Sequence, residues 1–424
     1  MSAKTTENRV LMKGNDAIAE AAIRAGCWAY FGYPITPQNE LIAYMAKHML
    51  DRGRVFIQAE SETAAINMVY GASAAGARAM TSSSSPGISL KQEGISYAAG
   101  ADIPLVVVNV VRGGPGLGSI APAQSDYFQS TRGGGHGDYR CIVLAPKSVQ
   151  ECADLTYLAF DLADQYRMPV IVLADGMIGQ MMEGVVLPPD RFPADLPGGG
   201  LPSDGLPGGG VPGGGVPGGG LPPRDWAVGH MADTRRNPDA SGVSDAPRAS
   251  RHITSIHLVP EELEAKTRAR FARYEEIKAR ETRFEALDCG LDGSVSAAAT
   301  GVAAAGEGPD LTLVAYGTSA RVALGAKKLA EKEGIKLGLF RPITLWPFPY
   351  IPLAQIAATG KPLLTVEMSL GQLVEDVKLA VLEADSGRPA FPGPRAPVHL
   401  LGHSGGVIPT EEEVFAEAKK ILRR

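Results

Sequence analysis

Runs of consecutive apolar residues alternate with stretches of helical spacing along the first part of this chain. Residues 55–58, 105–111 and 170–174 are rich in Val, Ile and Leu, and segments with helical spacing lie between them. Continuous apolar runs are typical of strands in a parallel sheet that helices cover on both faces, whereas half-exposed strands alternate. We therefore predict an α/β domain over residues 1–190.

The same pattern returns near the C-terminus. Residues 311–316, 336–340 and 362–367 have the composition of strands, and residues 320–333 have that of a helix. This alternation predicts a second and smaller α/β unit, also parallel, over residues 306–424.

Two segments of different composition separate these units. Residues 191–255 form a Gly/Pro-rich insertion and an irregular linker, with LPGGG and VPGGG repeats between residues 196 and 222. Such repeats cannot bury a core, so we expect a flexible surface loop there. A tolerated insertion is the simpler interpretation, and a partner-binding arm is the alternative. Residues 256–305 are predicted as a connecting helix, charged over 261–287, and a linker.

Composition excludes several classes of protein. A net charge of −5 provides no basic surface for nucleic acid. The chain has no apolar stretch of the roughly 20 residues that cross a bilayer and no signal-peptide core, so we expect a cytoplasmic protein without a membrane partner. The four cysteines include no closely spaced pair, and Cys27 and Cys141 are predicted to be buried packing residues. His136 and Asp138 are too few for a metal site, so no metal site is predicted in this chain.

Three polar segments each follow a predicted strand. They are Y-P-I-T-P at residues 33–37, Q-A-E-S-E at residues 58–62 and N-V-V-R-G-G-P-G at residues 109–116. In an open α/β sheet the carboxyl ends of the strands line the ligand-binding crevice. The crevice would therefore hold the hydroxyl of Thr36, the carboxylate of Glu60 and the guanidinium of Arg112.

Each candidate has a structural alternative. Small residues around Glu60 predict a partly desolvated carboxyl that can share a proton near neutral pH, whereas Glu62 is better explained as an acid at a helix N-terminus. Thr36 lies in a rigid loop between prolines and can orient a polar substrate group, or it can cap the following helix. Arg112 can clamp a carboxylate with two hydrogen bonds, or it can form a structural ion pair.

Long strings of this sequence resemble the α subunits of 2-oxoacid:ferredoxin oxidoreductases, and in particular the 2-oxoisovalerate (3-methyl-2-oxobutanoate) type. The strings occupy residues 32–40, 58–72, 81–97, 112–118, 133–140, 316–321 and 341–349. The Gly/Pro-rich insertion departs from the pattern of the family.

The resemblance implies a thiamine-diphosphate-binding fold, with a pyrimidine-binding domain at residues 1–190 and a transketolase C-terminal-like domain at residues 306–424. It implies CoA-dependent oxidative decarboxylation of branched-chain 2-oxoacids to acyl-CoA and CO₂, with electrons passed to ferredoxin. Glu60 matches the glutamate that contacts the aminopyrimidine ring, and Pro34 and Ile35 match positions beside the coenzyme. Thr36 and Arg112 match positions that contact the 2-oxoacid.

Two motifs that the reaction needs are missing from the chain. It contains neither the G-D-G…Asn pattern expected to hold Mg²⁺ and the diphosphate nor a set of cysteines for an iron–sulfur cluster. The resemblance therefore implies a β subunit that carries the diphosphate–Mg²⁺ site and a [4Fe–4S] cluster. A γ subunit and a ferredoxin-like δ subunit are further candidates, and coenzyme A is a substrate.

Three alternatives remain open at this stage. The same chemistry could act on 2-oxoglutarate or an aromatic 2-oxoacid, although no second cation is evident for the second carboxylate of 2-oxoglutarate. The chain could also be a non-catalytic scaffold on a degenerate thiamine fold. An independent nucleotide-binding α/β protein is the third, but residues 113–118 lack the spacing of a dinucleotide fingerprint, and no G-x-x-x-x-G-K-[ST] phosphate loop is present.

Overall fold

The computed structural model describes residues 9–191, 226–228, 253–291, 308–383 and 396–423. The surface loop predicted at residues 196–222 lies outside these ranges. Among the helices of the described ranges, none combines the length and the apolar character that crossing a membrane requires.

The N-terminal part alternates strands and helices, as its apolar pattern predicts. In chain order the elements are β1 (Val10–Lys13), α1 (Gly14–Arg24), β2 (Ala29–Gly32), α2 (Asn39–Asp51), β3 (Val55–Gln58), α3 (Glu62–Ala74), β4 (Ala79–Ser83), α4 (Ser85–Gly100), β5 (Leu105–Val111), α5 (Tyr127–Arg132), β6 (Ile142–Leu144), α6 (Val149–Tyr166), β7 (Pro169–Asp175), α7 (Gly176–Gln180) and β8 (Met182–Val185).

The C-terminal part is a second α/β unit. Its elements are α8 (Pro260–Glu281), β9 (Phe284–Leu287), β10 (Leu311–Val314), α9 (Gly317–Lys332), β11 (Leu337–Pro342), β12 (Thr344–Trp346), α10 (Tyr350–Ala357), β13 (Leu363–Glu367), α11 (Leu373–Glu383), β14 (Val398–Gly402) and α12 (Glu411–Leu422).

The larger sheet has the strand order β12-β6-β7-β5-β4-β2-β3, and the smaller one has the order β14-β13-β10-β11-β9. In the larger sheet every pair between β6 and β3 is parallel, and β5 and β7 are buried along their whole length. Helices cover both faces of such a sheet, which explains the continuous apolar runs. Among the strands of the described residues, β3 lies at the edge of the sheet and pairs only with β2.

Two strands differ from the sequence predictions. The helix predicted over residues 261–287 ends at Glu281, and β9 then pairs antiparallel with β11, so the smaller sheet is mixed rather than parallel. Strand β12 leaves the C-terminal unit and pairs antiparallel with β6 of the larger sheet. Prolines at positions 342, 347 and 349 break the apolar run around β12, so its periodicity gives no strand signal.

Buried polar contacts join the two sheets. The carboxylate of Asp175, at the end of β7, accepts hydrogen bonds from the backbone N–H of Thr318 at 3.0 Å and from its hydroxyl at 2.7 Å. Gln124 donates to the carbonyl of Tyr316 at 2.8 Å and accepts from the Ser319 hydroxyl at 2.9 Å. Tyr316, Thr318 and Ser319, which belong to the string at residues 316–321, thus attach α9 to the N-terminal sheet.

Asn15 lies inside α1, whose N-cap residue is Lys13. The helix begins one residue earlier, at Gly14, and the Asn15 side chain donates to the carbonyl of Pro37 at 2.9 Å and to Glu40 at 3.1 Å. It therefore connects α1 to the start of α2. Cys27 and Cys141 are buried free thiols, as predicted.

Candidate functional site

The three candidate side chains follow neighbouring strands of the larger sheet. Arg112 directly follows β5, Thr36 lies in the loop after β2, and Glu60 follows β3. Strand β4 lies between β5 and β2, and adjacent strands are about 4.8 Å apart. The parallel arrangement brings all three residues to the carboxyl edge of the sheet, where the sequence placed the crevice.

The Arg112 side chain extends across β4 to the loop that contains Thr36. Its Nη1 donates to the backbone carbonyl of Thr36 at 3.0 Å and to the Thr36 hydroxyl at 3.4 Å, and its Nη2 donates to the carbonyl of Leu117 at 2.9 Å. Arg112 is only 8 % exposed, so these contacts hold the guanidinium plane in one orientation.

No carboxylate of the described ranges forms an ion pair with this guanidinium. The three contacts above are all to neutral oxygens, and the buried Nε of Arg112 has no hydrogen-bond partner among the described residues. The structural ion pair considered for Arg112 is therefore absent from the described structure. A buried cation without a counter-ion is costly, and the arrangement favours binding of an anion.

The backbone of Arg112 is fixed by serine residues that the sequence did not single out. Ser85, the first residue of α4, accepts a hydrogen bond from the Arg112 N–H at 3.1 Å and donates to its carbonyl at 3.3 Å. Ser125 donates to the same carbonyl at 3.5 Å. The signal that could have identified Ser85 is its position after β4, the strand between those that precede Arg112 and Thr36.

Asp126 is a second residue that sequence reasoning missed. Its carboxylate accepts a hydrogen bond from Asn109 of β5 at 2.8 Å. Burial raises the pKa of the Asp126 carboxyl, and hydrogen bonds to Ser85, Asn109 and Ser125 offset part of this effect. This hydrogen-bond network therefore fixes the segment around Arg112 through β5 and the start of α4.

Thr36 is not the cap of the following helix. Helix α2 begins at Asn39, and its N-cap residue is Gln38, whose side chain forms no capping bond. Gln38 instead donates to the carbonyl of Tyr33 at 3.3 Å and accepts from the Ser82 hydroxyl at 2.6 Å. Gln38 thus fixes the loop against β4, while Thr36 itself is exposed and available to a ligand.

Glu60 is exposed in this chain, which corrects the expectation that neighbouring residues would desolvate it. The reason is that β3 is the edge strand, so one side of the turn that carries Glu60 is uncovered. The Ser61 hydroxyl donates to Glu60 Oε1 at 3.2 Å and accepts from the N–H of Ala64 at 3.2 Å, so Ser61 is the N-cap of α3. Glu62 is the first residue of α3 and is buried.

The edge strand also exposes apolar side chains next to Glu60. Val55 is 39 % exposed and Ile57 is 42 % exposed, although both belong to a strand. Tyr33 and Pro34 are exposed in the adjacent loop, and Ile35 is half-buried. An exposed sheet edge with apolar side chains is a surface that another chain can cover.

The glycine-rich loop at residues 133–137 packs against α4. A Cβ atom at Gly135 would lie 2.4 Å from the carbonyl oxygen of Gln92, and the Gly134 N–H donates to the Gln92 side chain at 3.1 Å. Within the ranges that the structure describes, no group of three His, Cys, Asp or Glu side chains could hold a metal ion.

Comparisons with known proteins identify two family models in the chain. Residues 20–196 match the thiamine-diphosphate-binding model of pyruvate flavodoxin/ferredoxin oxidoreductases, and residues 309–414 match core domain II of pyruvate:ferredoxin oxidoreductase. The two matches cover the two α/β units described above.

The chain is similar to curated proteins over most of its length. It is 45 % identical over 370 residues to the ketoisovalerate oxidoreductase subunit VorB of Methanothermobacter marburgensis, covering 87 % of this chain and 89 % of the relative. It is 35 % identical over 410 residues to the 2-oxoglutarate synthase subunit KorA of the same organism, covering 95 % and 96 %.

Solved structures show the same architecture. The 2-oxoglutarate:ferredoxin oxidoreductase from Magnetococcus marinus, with 2-oxoglutarate, coenzyme A and succinyl-CoA bound, matches with a TM-score of 0.74 and 26 % identity over 100 % of this chain and 67 % of that chain. A split gene transketolase matches with a TM-score of 0.51 and 14 % identity over 97 % of this chain and 98 % of that chain, which is a likeness of fold alone.

Proposed function

The chain belongs to the 2-oxoacid:ferredoxin oxidoreductase family, and we propose that it is the α subunit of an enzyme that acts on branched-chain 2-oxoacids such as 2-oxoisovalerate. The reaction is CoA-dependent oxidative decarboxylation to acyl-CoA and CO₂, in which the two electrons released reduce ferredoxin. The identity of 45 % to a ketoisovalerate oxidoreductase subunit, against 35 % to a 2-oxoglutarate synthase subunit, supports this substrate class. The predicted α/β fold with a thiamine-diphosphate-binding parallel sheet is confirmed.

The observation that carries the proposal is the buried guanidinium of Arg112 without a carboxylate partner in the described structure. A 2-oxoacid has one carboxylate that must be held while its carbonyl carbon reacts. The guanidinium N–H groups that the three contacts leave free would donate to that carboxylate, and the adjacent Thr36 hydroxyl would contact the substrate beside it. Because Arg112 is anchored by three oxygen atoms, substrate binding requires little further ordering.

Glu60 fits the role of the carboxyl that contacts the aminopyrimidine ring of thiamine diphosphate. It lies at the same edge of the sheet as Thr36 and Arg112, and the Ser61 hydroxyl orients one of its oxygens. When bound, the coenzyme supplies the electron sink for loss of CO₂. Glu60 would hold a proton at the ring nitrogen, while the exposed Pro34 and the half-buried Ile35 would contact the ring from the neighbouring loop.

A partner subunit would complete this site. We assign the Mg²⁺ and diphosphate site and a [4Fe–4S] cluster to a β subunit, because none of the described residues of this chain form a suitable metal site. The exposed edge strand β3 beside Glu60 provides an apolar surface for that subunit. Covering this edge would desolvate Glu60, which strengthens its hydrogen bond to the coenzyme. Candidate γ and ferredoxin-like δ subunits would connect the cluster to ferredoxin.

The test uses the complex of this chain with its partner subunits and measures kcat/KM for three 2-oxoacids. We expect 2-oxoisovalerate to exceed 2-oxoglutarate and an aromatic 2-oxoacid. Arg112→Met should raise KM for 2-oxoisovalerate by about 10- to 100-fold, because hydrogen bonds to a charged group contribute about 1.5–3 kcal/mol. Arg268→Met, which removes an exposed arginine of α8, is the matched control and should leave KM unchanged.

Three results would overturn the proposal. A preference for 2-oxoglutarate would refute the substrate class. Activity that is indifferent to both Arg112→Met and Glu60→Gln would indicate a scaffold subunit whose site residues do no chemistry. Tight binding of ATP or NAD by this chain, without any 2-oxoacid reaction in the complex, would indicate a nucleotide-binding protein.

A further inference from the structure

Lys91 of α4 is a fully buried lysine, with 0 % of its surface exposed. Its Nζ donates one hydrogen bond, at 3.1 Å, to the backbone carbonyl of Glu62. No carboxylate of the described ranges lies within ion-pair distance of this ammonium group. Burying a charged group without an ion pair is costly, so its position needs an explanation other than stability.

Lys91 reaches Glu62 because α4 and α3 pack unusually close together. Gly87, Lys91 and Gly94 lie on one face of α4 at spacings of four and three residues. A Cβ atom at Gly94 would lie 2.6 Å from Ile66 Cγ1, and one at Gly87 would lie 2.6 Å from a carboxylate oxygen of Glu62. Glycines on both sides of Lys91 thus bring its side chain to the first turn of α3.

The electrostatics of this position oppose a purely stabilising role. The N-terminus of α3 carries the positive end of the helix dipole, which disfavours a nearby cation. Burial lowers the pKa of Lys91 to about 7, and the neighbouring carboxylate of Glu62 offsets part of that decrease. An apolar side chain of similar length would fill the same space without this cost.

The hydrogen bond from Lys91 instead holds the turn that presents Glu60. Its acceptor is the carbonyl of Glu62, the first residue of α3, only two residues after Glu60. Between them, Ser61 caps the helix and bonds to Glu60. The connection from α4 to Glu60 therefore consists of one buried hydrogen bond and one capping residue.

We propose that Lys91 is a positioning residue, which fixes the first turn of α3 and thereby the position of the Glu60 carboxylate relative to Thr36 and Arg112. This inference rests on the proposed contact of Glu60 with thiamine diphosphate. Ser85 ties Arg112 to the first turn of α4, and Lys91 ties the same helix to the turn that carries Glu60. Helix α4 therefore sets the distance between the coenzyme contact and the substrate clamp.

The test compares Lys91→Met with the wild type in the full complex. Met is close to Lys in length and helix propensity but cannot donate the hydrogen bond. We expect the Kd for thiamine diphosphate to rise and kcat to fall by about 10- to 100-fold, the loss that a misplaced catalytic group can cause. KM for the 2-oxoacid should change less than about twofold, because no contact of Arg112 is removed.

Two further readouts separate positioning from general destabilisation. The near-ultraviolet circular dichroism of the bound coenzyme should change in Lys91→Met, because it reports how the aminopyrimidine ring is protonated, while the thermal midpoint should not fall. Lys328→Met, which removes an exposed lysine of α9, should change none of these quantities. Lys91→Gln keeps a shorter N–H donor and should recover part of the coenzyme affinity.

The inference would be overturned if Lys91→Met bound the coenzyme with wild-type affinity and an unchanged spectrum. It would equally be overturned if the losses in Lys91→Met and Lys91→Gln simply followed a lower thermal midpoint. Glu60→Gln distinguishes the two proposals. If Glu60→Gln impairs the coenzyme spectrum and Lys91→Met does not, only the positioning role fails, whereas indifference to both variants refutes the proposed site itself.

Discussion

Replacing Lys91 with methionine should make the folded protein more stable, and the gain should shrink as the pH rises. In the unfolded chain a lysine keeps its proton up to a pKa of 10.5, whereas burial lowers the pKa of Lys91 in the folded protein to about 7. Between these two values the unfolded chain binds more protons than the folded one. The stability of the wild type therefore rises with pH across this window.

The size of the effect follows from the two pKa values. Each pKa unit corresponds to about 1.4 kcal/mol, so keeping Lys91 protonated in the folded state costs up to about 5 kcal/mol below pH 7. Summed over the titration, about 3 kcal/mol of this cost is relieved between pH 6 and pH 9. Lys91→Met has no proton to lose, so its advantage over the wild type should decrease by about that amount.

The assay is thermal unfolding of the full chain at pH 6, 7, 8 and 9, followed by circular dichroism. For a domain of this size, about 3 kcal/mol corresponds to a change of roughly 6–12 °C in the difference between the two midpoints. Other titrating groups are common to both proteins, so they cancel in the difference. Lys328→Met serves as the control, and its difference from the wild type should be independent of pH.

A constant difference between Lys91→Met and the wild type across this pH range would refute the reasoning. It would mean that Lys91 keeps its proton in the folded protein throughout the range, as it does in the unfolded chain, and that burial does not lower its pKa. A variant less stable than the wild type at pH 6 would show instead that the hydrogen bond to Glu62 outweighs the cost of burying the ammonium group.

Three further variants test the loop, the contact between the sheets and a helix cap. Gly118→Ala should lower the free energy of unfolding by roughly 2 kcal/mol or more and raise KM for the 2-oxoacid, because φ is +62° there and a Cβ would lie 1.6 Å from a backbone oxygen. Its control is Gly116→Ala, where φ is +68° but a Cβ meets no atom, so it should lower the free energy of unfolding less and leave KM unchanged. Asp175→Ala should lower unfolding stability by about 3 kcal/mol, because four hydrogen bonds lose their buried acceptor, and an unchanged thermal midpoint would contradict this. Thr410→Ala should cost about 1 kcal/mol in urea unfolding by removing the α12 capping box, and Thr410→Ser should not.

The sequence predicted the strands of the larger sheet well, because their signal is local. Strands β5 and β7 are buried on both faces, and their uninterrupted apolar residues are a direct consequence of that environment. Residue chemistry is also local, so Thr36, Glu60 and Arg112 could be proposed from their type and from the strand that each one follows. The meeting of Arg112 and Thr36 supports that reasoning.

Errors arose where a long-range partner decided the outcome. Residues 284–287 continue a charged helix in sequence, yet they form β9 because β11 offers an edge to pair with. Asn is a common N-cap residue, but Asn15 lies inside α1 and its side chain donates to the carbonyl of Pro37, 22 residues away. Ser85 and Asp126 were not identified because only the strand order shows that they lie beside Arg112.

The sequence by itself determined the α/β class and the candidate site residues, since periodicity and side-chain chemistry are properties of neighbouring positions. The tertiary structure alone decided that Arg112 is buried without a carboxylate partner in the described ranges, that Glu60 is exposed just after an edge strand, and that Lys91 reaches the first turn of α3. Burial and ionic pairing depend on which distant segments surround a side chain. That information exists only once the chain has folded.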